Sequence, residues 1–94
     1  MEKKKVVYLS GPITGVQRYW DPFRRAQEHL EELGYTVLNP CFLPPEGLTE
    51  EQYMRIDLAM LDAAEYIHFL PGAENSKGSQ FERAYAEYHG KVVI

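Results

Sequence analysis

The chain has 94 residues and a formal net charge of −4, with 45% hydrophobic and 26% charged residues. A chain this short is expected to fold as one domain, residues 1–94, around a small core. Its acidic balance argues against a nucleic-acid polymer as partner, because duplex binding needs a basic face with several phosphate contacts. The one basic run, Lys3 to Lys5, is interpreted as a solubilising flank. No run of about 20 apolar residues is present, so no membrane span is expected.

Cysteine and histidine content points to a protein without metal or disulfides. Cys41 is the one cysteine, so no disulfide can form within the chain, which is typical of a reducing cytosol. The first predicted strand begins so near the amino terminus that no signal peptide is expected, and we predict a cytoplasmic location. The three histidines show no metal-ligand spacing, so no metal is expected.

The first predicted elements are a strand, a helix and a second strand. Val6–Leu9 is a short apolar, β-prone run ended by a Ser-Gly-Pro turn, which predicts a buried strand. Asp21 and Pro22 predict the start of a helix, with Asp21 as its N-cap, and Gly34 ends it. Tyr35–Leu38 predicts the second strand.

The second half of the chain continues the alternation. A Pro-rich, apolar loop follows the second strand and ends before Thr49, which with Gln52 fits a capping box. The remaining predicted elements are a helix from Thr49 to about Ala64, a strand over Tyr66–Leu70, a helix over Gln80–Tyr88 and a strand over Lys91–Ile94. Strands that alternate with helices predict an α/β domain whose four-stranded sheet is parallel and covered by helices on both faces.

Ligands of such folds bind outside the carboxyl ends of the strands, so the loops after the first three strands are the candidate site. The first loop reads SGPITG, and its glycines and hydroxyls suit either a sugar or phosphate cradle or no more than a tight turn. Its spacing matches neither the dinucleotide-binding fingerprint nor a P-loop. Phe42 and Leu43, in the second loop, are candidates for covering a ligand.

Glu82 follows the third loop and allows two interpretations. Ser79 and Glu82 fit a capping box, which explains the carboxylate without chemistry. Alternatively, Glu82 lies at the edge of an apolar helix stripe that is predicted to include Phe81 and Tyr85. A carboxylate beside an aromatic cleft can attack an electron-poor carbon, such as the anomeric carbon of a glycoside.

Asp57 is the candidate second carboxylate. It lies four residues after Tyr53 and four before Leu61, and therefore on or beside the inner face of its helix. One interpretation turns it to water or pairs it with Arg55 or Arg83. The other makes it a functional acid that faces the same cleft as Glu82.

Taken together, the stretches YLSGPITG, RIDLAMLDAAEYIHFL and GSQFERAYAEYHGKVVI resemble the nucleoside 2-deoxyribosyltransferase family and the related 2'-deoxynucleoside 5'-monophosphate N-glycosidases. The resemblance covers nearly the whole chain, although no motif is long. It implies a flavodoxin-like three-layer sandwich, no cofactor, and a homodimer or larger homo-oligomer. It also implies cleavage of the bond between a base and 2-deoxyribose, with transfer of the sugar to another base or to water.

The resemblance also assigns residues. The family's nucleophile falls on Glu82, its sugar-orienting or proton-handling Asp on Asp57, and its first-strand Tyr on Tyr8. Ser76 stands where transferases acting on free nucleosides have an Asp, and where the monophosphate hydrolases have a phosphate-binding Ser, so it favours a phosphorylated substrate. Other implied substrate-binding positions are Ser10, Gly11, Ile13, Gly15 and Gly78.

Two departures separate this sequence from the family. The hydrolases open their first loop with Gly-Ser, whereas this sequence has Gly11-Pro12. Relatives continue beyond the position that matches Ile94, and residues of a neighbouring subunit complete their site. These departures support an alternative, a nucleotide-binding or interaction module of the same fold without turnover. A third hypothesis is hydrolysis of another N-glycoside, such as a nicotinamide dinucleotide.

Overall fold

The computed structural model describes residues 5–94, so Lys3 and Lys4 of the basic run lie outside the described residues. The element order is the predicted one. The strands and helices are β1 (Val6–Ser10), α1 (Trp20–Glu32), β2 (Thr36–Leu38), α2 (Glu50–Ala63), β3 (Tyr66–Phe69), α3 (Lys77–Tyr88) and β4 (Val92–Val93). Short 3-10 turns follow β2 at Pro40–Phe42 and β3 at Ala73–Asn75. In the described part of the chain, each helix is too short or too polar to cross a membrane.

The four strands form one parallel sheet in the order β2-β1-β3-β4. Tyr8 of β1 lies opposite Leu38 of β2 and Ile67 of β3. The predicted α/β class is confirmed, and the architecture is that of a flavodoxin-like sandwich. Strand order reverses direction between β1 and β3, and the carboxyl ends of these two strands are where such sheets bind ligands.

Side chains of β1 alternate between two core layers. Val7 and Leu9 pack with Phe23 and Leu30 of α1 on one face of the sheet. Tyr8 packs on the other face in a cluster that α2 and α3 complete with Leu61, Ala64 and Ala86. Because successive residues of a strand point to opposite faces, Ser10 lies on the same face as Tyr8, toward α2 and α3.

The start of α1 differs from the prediction. The helix begins at Trp20, Tyr19 provides no side-chain cap, and Asp21 is therefore not the N-cap. The Asp21 carboxylate instead binds Arg24 at 2.7 Å and Arg25 at 2.8 Å, one turn further along the helix. These ion pairs and the positive end of the helix dipole favour an acid in the first turn.

The two helices behind the candidate site differ in how well they were predicted. For α2, the capping box of Thr49 and Gln52 is confirmed. For α3, the predicted end at Tyr88 is confirmed but the predicted start at Gln80 is wrong, because the helix begins at Lys77 with Ser76 as its N-cap. The buried face of α3 is also not the predicted aromatic stripe. Phe81 and Tyr88 are exposed, and the buried residues are Ser79, Glu82 and Ala86.

Candidate active site

Glu82 is held on β1 by two hydroxyl groups. Tyr8 Oη donates to Glu82 Oε2 at 2.7 Å, and Ser10 Oγ donates to Glu82 Oε1 at 2.7 Å. All three side chains are nearly fully buried, with Glu82 only 5% exposed. Glu82 lies in the second turn of α3 and caps nothing, so the capping interpretation of this residue is wrong.

Opposing effects set the charge state of Glu82. Burial raises the pKa of its carboxyl group, whereas the hydrogen bonds from Tyr8 and Ser10 lower it, and the net direction is upward. The same burial, together with the charges of Glu82 and Asp57, raises the pKa of Tyr8 far above its ordinary value. The phenol therefore stays protonated and remains a hydrogen-bond donor at any physiological pH.

Asp57 faces the same cleft as Glu82 and pairs with no arginine in the described structure. Arg55 binds Glu51 at 2.6 Å, and the Arg83 guanidinium lies over the Phe69 ring, 4.1 Å from its centroid. The predicted alternative of an ion pair with either arginine is therefore wrong. Within residues 5–94, the buried Oδ1 of Asp57 has no hydrogen-bond partner. Such an orphaned atom costs free energy unless the group is protonated or a ligand supplies a partner.

Burial and the charge of Glu82, in that order, raise the pKa of Asp57 to about 7. Each carboxylate disfavours ionisation of the other, so near neutral pH the pair readily holds one proton. Asp57 can therefore carry a proton while Glu82, which has two hydroxyl donors, is ionised. The ionised Glu82 is then suited to nucleophilic attack, and the protonated Asp57 is suited to proton transfer.

A cleft of about 1080 Å³ opens over these residues. Its walls are the loop after β1, the Pro-rich loop after β2, one face of α2 and the first turns of α3. Its volume is of the size that holds a small organic ligand, for which sites of about 300–1,000 Å³ are typical. The predicted site residues line it together: Tyr8, Ser10, Gly11, Ile13, Gly15, Asp57, Ser76, Gly78 and Glu82.

Several details of the cleft differ from the predictions. Phe42 is 76% exposed and does not line the cleft, whereas Leu43 does. Ser10 was predicted to bind substrate, but its hydroxyl group donates its one hydrogen bond to Glu82. Sequence reasoning missed Tyr53 as a lining residue, and it missed the contact of Ser79 with Ser10. For Ser79, the signal was its position three residues before Glu82, which places both on one helix face.

Two of the glycines that line the cleft have different explanations. A Cβ at Gly11 would lie 2.9 Å from Leu70 Cβ, so packing alone requires glycine there. A Cβ at Gly78 would meet nothing closer than Met54 Cε at 3.8 Å, and Gly78 is the second residue of α3. Because glycine weakens a helix and packing does not demand it here, Gly78 is suited to close approach of a ligand.

The start of α3 offers donors to an anion. Ser76 Oγ accepts from Ser79 N–H at 3.3 Å, and the exposed Lys77 lines the cleft beside it. Unpaired N–H groups and the positive end of the helix dipole favour negative charge at such a terminus. Among residues 5–94, no three His, Cys, Asp or Glu side chains come together as a metal ion would require.

Fold and site together define a flavodoxin-like α/β domain with a paired-carboxylate cleft at its topological switch point. The chain belongs to the family described as Domain of unknown function (DUF4406), whose model matches residues 5–94. A comparison with curated proteins finds no match.

Proposed function

We propose that the protein cleaves the N-glycosidic bond of a 2'-deoxynucleotide or deoxynucleoside, with Glu82 as nucleophile. The observation that carries the proposal is the buried Glu82 carboxylate, fixed by Tyr8 and Ser10 at 2.7 Å, beside a second carboxyl group with a pKa of about 7. The resemblance to deoxyribosyltransferases and deoxynucleotide N-glycosidases supports the same chemistry. The cytoplasmic location and the homo-oligomeric state stay predictions.

In the first step, a Glu82 oxygen attacks the anomeric carbon as the bond from that carbon to the base nitrogen breaks. The leaving base takes the bonding electrons and accepts a proton, which Asp57 is placed to supply. A glycosyl ester on Glu82 results. In the second step, water or another base displaces the ester oxygen and loses a proton to the Asp57 carboxylate, which restores both groups.

Tyr8 serves both steps without changing its protonation. Its hydroxyl stabilises the ionised Glu82 before attack and the carboxylate that is released when the ester breaks. Since the phenol and Ser10 each occupy one Glu82 oxygen, the carboxylate is held in one orientation, which lowers the entropic cost of attack.

A 5'-phosphate is the feature that we propose the start of α3 recognises. Ser76, Lys77 and Gly78 line the cleft at the amino end of α3, and hydroxyl, ammonium and N–H donors there suit a phosphate. The other charged groups that line the cleft in the described chain are the carboxylates Glu50, Asp57 and Glu82. A phosphate placed near the carboxylates would be repelled, so this arrangement would orient a nucleotide with its phosphate at Lys77.

The test is base release. Purified protein is incubated with each deoxynucleoside and each deoxynucleoside monophosphate, with and without an acceptor base, and chromatography follows free base and exchanged nucleoside. Glu82→Gln is expected to abolish release, by at least about 10³-fold, because the amide is not a nucleophile. Glu87→Gln, an exposed change on the same helix, is the matched control and is expected to keep full activity.

Two outcomes would contradict the proposal. Full activity in Glu82→Gln would remove the nucleophile assignment. No release from any substrate by the folded wild-type protein would reject the enzyme and favour the binding module, particularly if a nucleotide raises its melting temperature.

A further inference from the structure

We propose that Ser79 is a positioning residue that acts on Glu82 through Ser10. The Ser79 hydroxyl donates a hydrogen bond to Ser10 Oγ, so that the Ser10 hydroxyl keeps donating its own hydrogen bond to Glu82. The kinetic part of this inference rests on the proposed function. The hydrogen-bond chain from Ser79 through Ser10 to Glu82, called the relay below, does not depend on it. Ser79 lies beside the assigned residues Gly78 and Ser10, but its side chain does not cap the helix in which it lies.

The geometry of the relay is a chain of three buried groups. Ser79 Oγ lies 3.0 Å from Ser10 Oγ, which lies 2.7 Å from Glu82 Oε1. Ser79 is 2% exposed and Ser10 is 1% exposed, so water has little access to either hydroxyl. Ser79 and Glu82 are three residues apart on α3 and present their side chains to the same point at the end of β1.

The direction of the relay follows from counting protons. A serine hydroxyl has one proton and two acceptor lone pairs. The shorter contact of Ser10 is to a carboxylate, which only accepts, so the Ser10 hydroxyl donates its hydrogen bond to Glu82. The contact between the two serines then requires that Ser79 donates and that Ser10 accepts.

The hydroxyl of Ser79 has no competing structural task in the described chain. The cap of α3 is made by Ser76 Oγ, which accepts from the backbone N–H of Ser79 and not from its side chain. A hydroxyl buried without a hydrogen bond would be costly, and the side-chain partner present is Ser10. Ser79 is therefore explained by the relay and not by the helix.

Loss of the Ser79 hydroxyl leaves Ser10 Oγ without a donor, so Ser10 can rotate or redirect its proton. The bond to Glu82 Oε1 weakens, and the ionised form of Glu82 becomes less favourable. The variant leaves the other titratable groups that line the cleft unchanged, among them Tyr8 from β1, Cys41 from the turn after β2, Glu50 and Asp57 from α2, and Lys77 from α3. The change therefore appears at the acidic limb of the pH profile, through Glu82, and leaves the proposed phosphate-binding residues Ser76, Lys77 and Gly78 unaltered.

The kinetic test uses Ser79→Ala, Ser10→Ala and the double variant, with Ser79→Thr retaining the hydroxyl. Ser79→Ala is expected to lower kcat about 2–10-fold at pH 6 with KM unchanged, and to move the acidic limb to higher pH. Ser79→Thr is expected to restore the limb. In the Ser10→Ala background, Ser79→Ala is expected to add nothing, because the relay is already broken. Additive losses in the double variant would overturn the relay.

A second measurement needs no turnover. The protein is labelled with ¹³C at glutamate side-chain carboxyls, the Glu82 signal is assigned by its disappearance in Glu82→Gln, and its titration is followed by NMR. Ser79→Ala is expected to shift that titration to higher pH, and an unchanged titration would overturn the relay. If the wild-type protein releases no base but the titration shifts, the relay stands and the proposed function fails. If Ser79→Ala does not fold, Ser79→Cys, a weaker donor, replaces it in the same titration.

Discussion

At the scale of single residues, the candidate site is a balance between burial and hydrogen bonding around one carboxylate. Burial makes the ionised form of Glu82 unfavourable, and Tyr8 and Ser10 offset part of that cost with two short bonds to the charge. A hydrogen bond to a charged group contributes about 1.5–3 kcal/mol, more than a bond between neutral groups. Of these two hydrogen bonds, the one from Tyr8 lowers the pKa of Glu82 more, and a conservative substitution can remove it.

Tyr8→Phe tests how much the hydrogen bond from Tyr8 stabilises the ionised form of Glu82. The substitution leaves the ring in place and takes the donor from Glu82 Oε2, so the pKa of Glu82 is expected to rise further. Base release is expected to fall about 10–100-fold in kcat/KM, with the acidic limb of the pH–rate profile moved to higher pH. Tyr35→Phe, which removes a hydroxyl on the opposite side of the sheet, is the control. An unaltered profile in Tyr8→Phe would show that this hydrogen bond does not set the charge of Glu82.

At the scale of elements, predictions succeeded where local interactions decide the structure. The capping box of α2 was predicted because Thr49 and Gln52 satisfy each other within one turn. The start of α3 was not, because two serines compete there. Ser79 fits a capping box with Glu82, and Ser76 can accept from the N–H of Ser79. Packing decides between them, since the β1 hydroxyls hold Glu82 inside and leave Ser76 as the cap.

The aromatic stripe predicted for α3 is wrong for Phe81 and Tyr88, for a related reason, whereas Tyr85 is half-buried and packs against the core. Helical periodicity marked Phe81, Tyr85 and Tyr88 as the inner face because they are the large apolar residues. The face that packs on the sheet instead carries Ser79, Glu82 and Ala86, so that a polar group is buried at the cost of exposing aromatic rings. A hydrophobicity pattern has no means of predicting a face that is selected to bury a carboxylate.

Gly78 tests whether α3 is shaped for a ligand or for its own stability. The site has room for a methyl group, and alanine is favoured over glycine in a helix by roughly 0.5–1 kcal/mol. Gly78→Ala is therefore expected to raise the free energy of unfolding by about 0.5 kcal/mol in urea titrations. The same variant is expected to weaken binding of a deoxynucleoside monophosphate, measured by calorimetry, because the methyl group narrows the approach to the first turn.

Gly11→Ala is the comparison for Gly78→Ala. Its Cβ would collide with Leu70, so it is expected to destabilise the protein whether or not a ligand is present. If Gly78→Ala were stabilising and bound the nucleotide as tightly as the wild type, the start of α3 would not be a phosphate site.

At the scale of the whole molecule, the parallel sheet assembles the site from distant parts of the chain. Tyr8 and Glu82 are 74 residues apart in sequence, yet their side chains meet at the switch point between β1 and β3. The edge of the sheet that carries the site was predictable from element order alone. The hydroxyl pair on Glu82 and the unpaired Oδ1 of Asp57 were not, because strand alternation and helix rotation must both be known before these contacts can be stated.

A site built this way makes the stability of the molecule depend on pH. Asp57 has a pKa of about 7 in the folded state, against roughly 3.9 for an unfolded Asp, so between these values the folded state binds more protons. Stability must then fall as pH rises from about 4 to about 7, because the slope follows the difference in bound protons. Asp21, whose pKa is lowered by Arg24 and Arg25, acts in the opposite direction, but only below about pH 4.

Asp57→Asn removes a carboxyl group whose ionised form is unfavourable in the folded state. The variant is expected to match the wild type near pH 4 and to exceed its free energy of unfolding at pH 8. The gain is on the order of 1–2 kcal/mol, reduced from the full linkage value because the cleft admits solvent. Urea titrations from pH 4 to pH 8 measure the difference, and Asp62→Asn, an exposed change on the same helix, is expected to follow the wild type. A pH-independent difference between Asp57→Asn and wild type would show that Asp57 is ionised throughout this range, and base release would then need another source for its proton.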